Sequence, residues 1–325
     1  MRARFLRLVP VVLSVAVPCF ALAVPARSAG PLAEMERLLM QGHADDAIAG
    51  LRSLNSQDGQ AHLLLCRAYY SEGVADAAVS ECETALRTLG QNSKAQDWMG
   101  RAYGIKADKA GPIAGYKLAA KVKAAFESAV ELDPRNADAV NDAGEYYVGA
   151  PSIVGGGTDK AFALADRVAA QLPYVAHRIR GLAAEKSKDY GTAEREFRDA
   201  VSTSGNRPDA WFDLGHYYSK RGQTAQALDA FDHATAADRA QGPAMVDVAS
   251  VLIKMKVRLD VAERILKAYL AGNAKSDDAP AFRALTELGK AMELTGDANG
   301  ARAQYQDALA LAGNYEPAKK ALGKL

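Results

Sequence analysis

The sequence predicts an all-α protein, a solenoid of stacked helix-turn-helix repeats, and three observations carry that prediction. The skeleton Trp211-x2-Leu214-Gly215-x2-Tyr218, followed by Ala227, Phe231 and Ala234, returns along the chain with a period in the thirties. A fixed period of that length means helix pairs stacked in a row rather than one globular centre. The small residues of successive repeats keep phase: Cys66 to Gly100, Gly181 to Gly215 and Gly215 to Ala249 are each 34 apart. Composition agrees, because Ala is abundant and aromatics are only 7%, which suits helices that approach closely through small side chains. A length of 325 residues would ordinarily suggest two domains. A solenoid escapes that estimate, since each repeat buries its apolar face against its neighbours alone.

The N-terminus, residues 1–29, reads as an export signal. Arg2, Arg4 and Arg7 precede an almost wholly apolar or small run from Leu8 to Val24. Ala21-Leu22-Ala23 then supplies a small-x-small cleavage pattern, with Val24-Pro25-Ala26 and Ala26-Arg27-Ser28 as alternatives. A retained membrane anchor is disfavoured, because Pro10 and Pro18 interrupt a run already short for a span of ~20 residues. Removing the three arginines leaves 37 basic against 39 acidic residues, and that near balance argues against a nucleic-acid backbone as partner. The expected location is periplasmic or secreted.

Residues 30–325 hold about eight repeats. Each second helix repeats Ala-x3-large-x2-Ala, three side chains on one face. In order these are Ala47, Leu51 and Leu54; Ala78, Cys82 and Ala85; Val122, Phe126 and Ala129; Ala161, Ala165 and Val168. Ala193, Phe197 and Ala200 follow, then Ala227, Phe231 and Ala234; Ala262, Leu266 and Tyr269; Ala301, Tyr305 and Ala308. Small crossing residues on the first helices are Cys66, Gly100, Gly144, Gly181, Gly215, Ala249 and Gly289, with Tyr69, Tyr103, Tyr147 and Tyr218 three positions beyond four of them. Gly73, Gly222 and Gly296 stand where the turn between paired helices needs positive φ. The first repeat lacks most of the pattern and is expected to cap one end; 314–325 is expected to form a C-terminal capping helix.

This pattern resembles the tetratricopeptide repeat, over nearly the whole chain after residue 30. The resemblance implies a right-handed superhelix with a concave groove that binds a peptide or another protein, and no catalysis. It also implies that the chain lacks the Lys/Asn/Arg set with which some members grip acidic tails. The insertion Gly155-Gly156-Gly157-x2-Lys160-Ala161 is similar to one in bacterial exported members.

Departures from the period mark individuality. Gly100 to Gly144 is 44 residues, so the third repeat carries about ten extra between its helices, at 104–120. That stretch holds Lys106, Lys109, Tyr116 and Lys117, with Lys121 and Lys123 beyond. The fourth repeat carries about five extra at 151–157, where Thr158 or Asp159 is expected to cap the next helix. Both insertions fall on the same edge and are expected to form one lip. A phosphate loop is disfavoured, because no Gly-Lys-[Ser/Thr] follows the glycines. The lip lysines leave a second function open, a carrier of anionic glycan or lipid.

Five histidines show no metal-ligand spacing, and no nucleophile motif is present. No cofactor, metal or catalytic residue is expected. The carboxylates read as solvated partners of lysine. Counting one and about four positions from each crossing residue gives candidate groove residues Arg67, Tyr70, Arg101, Asn141, Glu145, Phe212, His216 and Lys220. Cys66 and Cys82 lie on the paired helices of one repeat, where either a disulfide or two small core side chains would fit.

Overall fold

In the computed structural model, which describes residues 30–325, the chain folds as an all-α solenoid of eight helix pairs and a terminal helix. The export signal read at 1–29 lies outside the described residues. The pairs are α1 (Pro31–Met40) with α2 (Ala44–Ser53), α3 (Gly59–Glu72) with α4 (Ala75–Leu89), and α5 (Ser93–Asp108) with α6 (Pro112–Leu132). Then come α7 (Ala137–Gly149) with α8 (Thr158–Val168), and α9 (Pro173–Lys186) with α10 (Tyr190–Thr203). The last are α11 (Pro208–Lys220) with α12 (Thr224–Ala237), α13 (Ala244–Met255) with α14 (Leu259–Ala271), α15 (Ala281–Thr295) with α16 (Ala298–Leu311), and the short α17 (Glu316–Leu322). No described helix is long and apolar enough to cross a membrane.

Local chemistry sets these boundaries. The side chains of Asp58, Asn92, Asn136, Asp189 and Asp297 each accept from a free N–H of the first turn. Proline opens α1, α6, α9 and α11, where its missing N–H costs nothing. Gly73 and Gly296 end their helices with φ of 77° and 89°.

The crossing residues are small for a visible reason. A Cβ added at Gly215 would stand 2.6 Å from the Phe231 ring, and Gly100, Gly181 and Gly289 meet Phe126, Phe197 and Tyr305 in the same way. Gly144 differs: its neighbour is Ile179 of α9, the first helix of the next repeat. The second helix of that repeat carries Ala165 in the place of the aromatic, and Ile179 fills the gap. Consecutive repeats are also tied by polar bonds. The hydroxyls of Tyr103, Tyr147 and Tyr218 donate to Glu83, Glu127 and Glu194 on the preceding second helix. Leu54 departs from its predicted role; α2 ends at Ser53 and Leu54 is exposed.

Cys66 and Cys82 are joined as a disulfide linking α3 to α4, their Cα atoms 5.2 Å apart.

The two ends of the solenoid touch, and here two sequence expectations need correction. Ala44 of α2 is buried in one apolar cluster with Phe282, Ala308, Ala312 and Ala318, from the last repeat and α17. Asp45 accepts the Gly313 N–H at 2.7 Å, and the Asn314 amide donates to Glu72 at 3.0 Å. The first repeat and the C-terminal helix therefore cap each other rather than facing solvent. Burial is not confined to nearest neighbours, because this seam joins segments more than 200 residues apart. The terminal helix itself starts at Glu316, not Asn314.

The insertion at 104–120 is not an extra loop. It lengthens α5 and α6, which continue to Asp108 and restart at Pro112. The 151–157 insertion forms a short 3-10 turn, Ser152–Val154, closed by Gly155 at φ 96°. A side chain at Gly156 would run into the Ala150 carbonyl, so only glycine fits. Neither Thr158 nor Asp159 caps α8: the capping position is Gly157, and no side chain bonds there.

Candidate binding cavity

First helices of successive repeats turn one face to the axis of the molecule, and there they surround a cavity of about 840 Å³. Its wall takes Tyr70 from α3, Arg101 and Asp108 from α5, and Asp138, Asn141, Asp142, Glu145 and Tyr146 from α7. Tyr174 and Arg178 come from α9, Asp209, Phe212 and Asp213 from α11, Asp247 from α13 and Arg283 from α15. The polar loop between α14 and α15 folds inward and contributes Asp278. Residues four apart on a helix share a face, so Asp138 with Asp142, Tyr174 with Arg178, and Asp209 with Asp213 each point inward as a pair.

Arginines brace the wall. Arg101 Nε donates to Asp142 at 2.5 Å, lies 3.4 Å from Asp97, and reaches Asp278 across the axis at 3.1 Å. Arg178 holds Asp213 at 2.8 Å and Glu145 at 2.7 Å, with Asn141 at 3.3 Å. Arg283 holds Asp247 at 2.6 Å. The Tyr174 hydroxyl donates to Asp209, which also accepts from Arg207 at 3.0 Å.

Carboxylates still outnumber cations. The wall holds eight carboxylates against three guanidiniums. Burial, reinforced by the charge of Asp142, pushes the Asp97 carboxyl up to about 8 despite Arg101 beside it. Burial likewise raises Asp142, Asp213 and Asp247. Among the described residues no group of three or more His, Cys, Asp or Glu is placed to hold a metal ion.

Of the groove residues read from sequence, Tyr70, Arg101, Asn141, Glu145 and Phe212 line this cavity. Arg67 does not. It is 4% exposed, bonded to Asp277 at 2.6 Å and Glu36 at 2.8 Å, and so fastens the inner loop to the first repeats. His216 and Lys220 fall outside the wall: His216 leans on the Phe212 ring, and Lys220 pairs with Glu185 at 2.6 Å. Burial, then Lys220, holds His216 below its ordinary value.

The expectation of scattered, lysine-paired carboxylates fails here, since they converge on the inner face and pair with arginine. The Asp138-x3-Asp142 and Asp209-x3-Asp213 spacings carried that signal in the sequence. Offsets from the crossing residue were the cause of the miss, because the unread wall residues Asp138, Asp142, Tyr174, Arg178, Asp209, Asp213, Asp247 and Arg283 stand two, three, six or seven positions before it.

The two insertions do meet. The Tyr146 hydroxyl donates to the Val154 carbonyl at 2.7 Å and lies 3.0 Å from that of Ala119, and Lys123 passes over Gly155. Lys160 donates to the Gly155 carbonyl at 2.9 Å. Most lip lysines are occupied within the molecule: Lys106 pairs with Asp76 at 2.8 Å, Lys109 donates to the Gly73 carbonyl, and Lys121 covers the Tyr103 ring. Lys117 is exposed beside Tyr116, and Ile113 and Ile153 are among the most exposed apolar side chains.

A sequence model described as a tetratricopeptide repeat matches residues 208–241, the α11–α12 pair. No curated protein matches the chain. Solved structures similar to it include the Cut9–Hcn1 hetero-tetramer of the APC/C, at 13% identity and TM-score 0.42 over 90% of this chain and 55% of that one. The chain thus spans about half the length of that protein. The human IFIT1 dimer with m7Gppp-AAAA is similar at 15% identity and TM-score 0.46, over 87% of this chain and 71% of that one. A tetratricopeptide repeat protein from Parabacteroides merdae is similar at 15% identity and TM-score 0.41, over 82% of this chain and 98% of that one. Scores at this level carry nothing over to the function of this chain.

Proposed function

We propose that the chain is a non-catalytic scaffold or adaptor of the bacterial cell envelope that holds a peptide or another protein in its concave interior. One observation supports this most: a cavity faced by the first helices of successive repeats, with an aromatic or charged side chain on each of those helices. Such a surface reads an extended partner over many residues. The basic, apolar N-terminus supports export. Gentle cross-linking in a periplasmic fraction, followed by capture of the tagged protein, is expected to recover one partner reproducibly. Recovery of none removes the scaffold reading.

A second reading, contact with an anionic glycan or lipid at the lip, is supported by exposed Lys117, Tyr116, Ile113 and Ile153 on one edge. Retention on anionic vesicles that survives Lys117→Glu would dispose of it.

A further inference from the structure

The charge of the axial cavity specifies the chemistry of what enters it. Each arginine of the wall is already matched: Arg101 to Asp142 and Asp278, Arg178 to Asp213 and Glu145, Arg283 to Asp247. Asp108 and Asp138 also face the cavity, are exposed, and have no cation within ion-pair distance among the described residues. Asp97, 2% exposed behind Arg101 at 3.4 Å, keeps Oδ1 without a hydrogen-bond partner, but its carboxyl is held protonated at neutral pH and adds no charge to the wall. An anionic guest would meet net repulsion, and a neutral one would leave the excess charge uncompensated.

The excess is also spread out. Its carboxylates sit on α5, α7, α11, α13 and the inner loop, and nowhere do they cluster tightly enough for a metal ion. A single cation could answer only one of them. Several cations on a flexible backbone could answer many in turn. The Tyr174 ring is already covered by Arg207 at 5.4 Å, but rings of Tyr70, Tyr146 and Phe212 stand among the carboxylates. Their faces attract ammonium and guanidinium groups within about 6 Å, and a volume of about 840 Å³ lies within the range of peptide-sized and ligand-sized sites.

We infer that the axial cavity receives a flexible peptide segment rich in lysine and arginine, its cations placed between the aromatic rings and the unmatched carboxylates of successive first helices. This rests on the scaffold reading above and adds the chemistry of the partner.

The test is fluorescence anisotropy of the mature protein with three short labelled peptides, alternating serine with arginine, with glutamate, or with asparagine. The arginine peptide is expected to bind, and to bind more weakly as salt rises. Asp108→Asn/Asp138→Asn should weaken it about fivefold or more. Neither residue is buried or paired, so the variant should keep the melting temperature of the parent. A control double substitution on the outer surface, Asp260→Asn/Asp307→Asn, should leave affinity unchanged.

Equal weakening by the control overturns the site. Preference for the glutamate or asparagine peptide overturns the cationic chemistry while leaving a peptide scaffold intact. Free spermine binding as tightly as the peptide overturns the segment and leaves a polyamine site. Failure of all three peptides overturns the inference, while the capture experiment decides the scaffold reading independently.

Discussion

Asp97 and Gly215 show how single residues carry opposite kinds of information. Asp97 faces Arg101 on its own helix and Asp138 and Asp142 on α7, and its carboxyl titrates at about 8 rather than 3.8. The folded state therefore binds a proton that the unfolded chain releases, so stability falls as pH rises from about 4 to about 8. Glu72 at the seam, raised to about 7 mainly by burial, acts in the same direction. Asp97→Asn is expected to flatten this slope, and to gain on the order of 1–3 kcal/mol over the parent near pH 8.5. Urea midpoints measured across that range check it; parallel curves for the two proteins would mean that Asp97 ionises normally. Gly215→Leu should cost about 1–3 kcal/mol or more, since the added side chain must displace the Phe231 ring. An unchanged melting curve would place the α11–α12 crossing elsewhere. The glycine was legible because its constraint recurs at a fixed interval. Arg67 was not, because nothing local in the sequence marks a side chain whose partner Asp277 lies 210 positions away.

Helices and their connections were legible wherever local chemistry decides them. Caps, prolines and the Ala-x3-large-x2-Ala face give the eight pairs, and the turn glycines follow. Insertions were legible in length and not in shape. The 104–120 stretch contains no strong breaker before Gly111-Pro112, so helix propagation extends α5 and α6 instead of making a loop. The disulfide between α3 and α4 closes a sequence separation of 16 residues. Constraint of a loop that size contributes about 3 kcal/mol. Cys66→Ser/Cys82→Ser is expected to lose roughly that in urea unfolding, and added reductant should bring the parent to the level of the variant. A parent insensitive to reductant would show that the bond adds nothing at equilibrium.

The whole molecule is defined by its seam, and that contact was invisible to a repeat-by-repeat reading. Periodicity reports what each repeat does to its neighbour, and the meeting of first and last repeats depends on the summed rotation of all of them. Ala312 is fully buried where α16 leaves the seam. Ala312→Arg is expected to part the ends, raising the radius of gyration in solution scattering while circular dichroism stays helical. A scattering curve identical to the parent would show that the ends are not held together there. In a linear stack two repeats are special because each lacks one neighbour, but once the chain bites its own tail no repeat holds that position. Where the polypeptide starts becomes an accident of numbering. A permuted protein, bridged between residues 325 and 30 and opened at the exposed turn of Gly205 and Asn206, should assemble the same annulus.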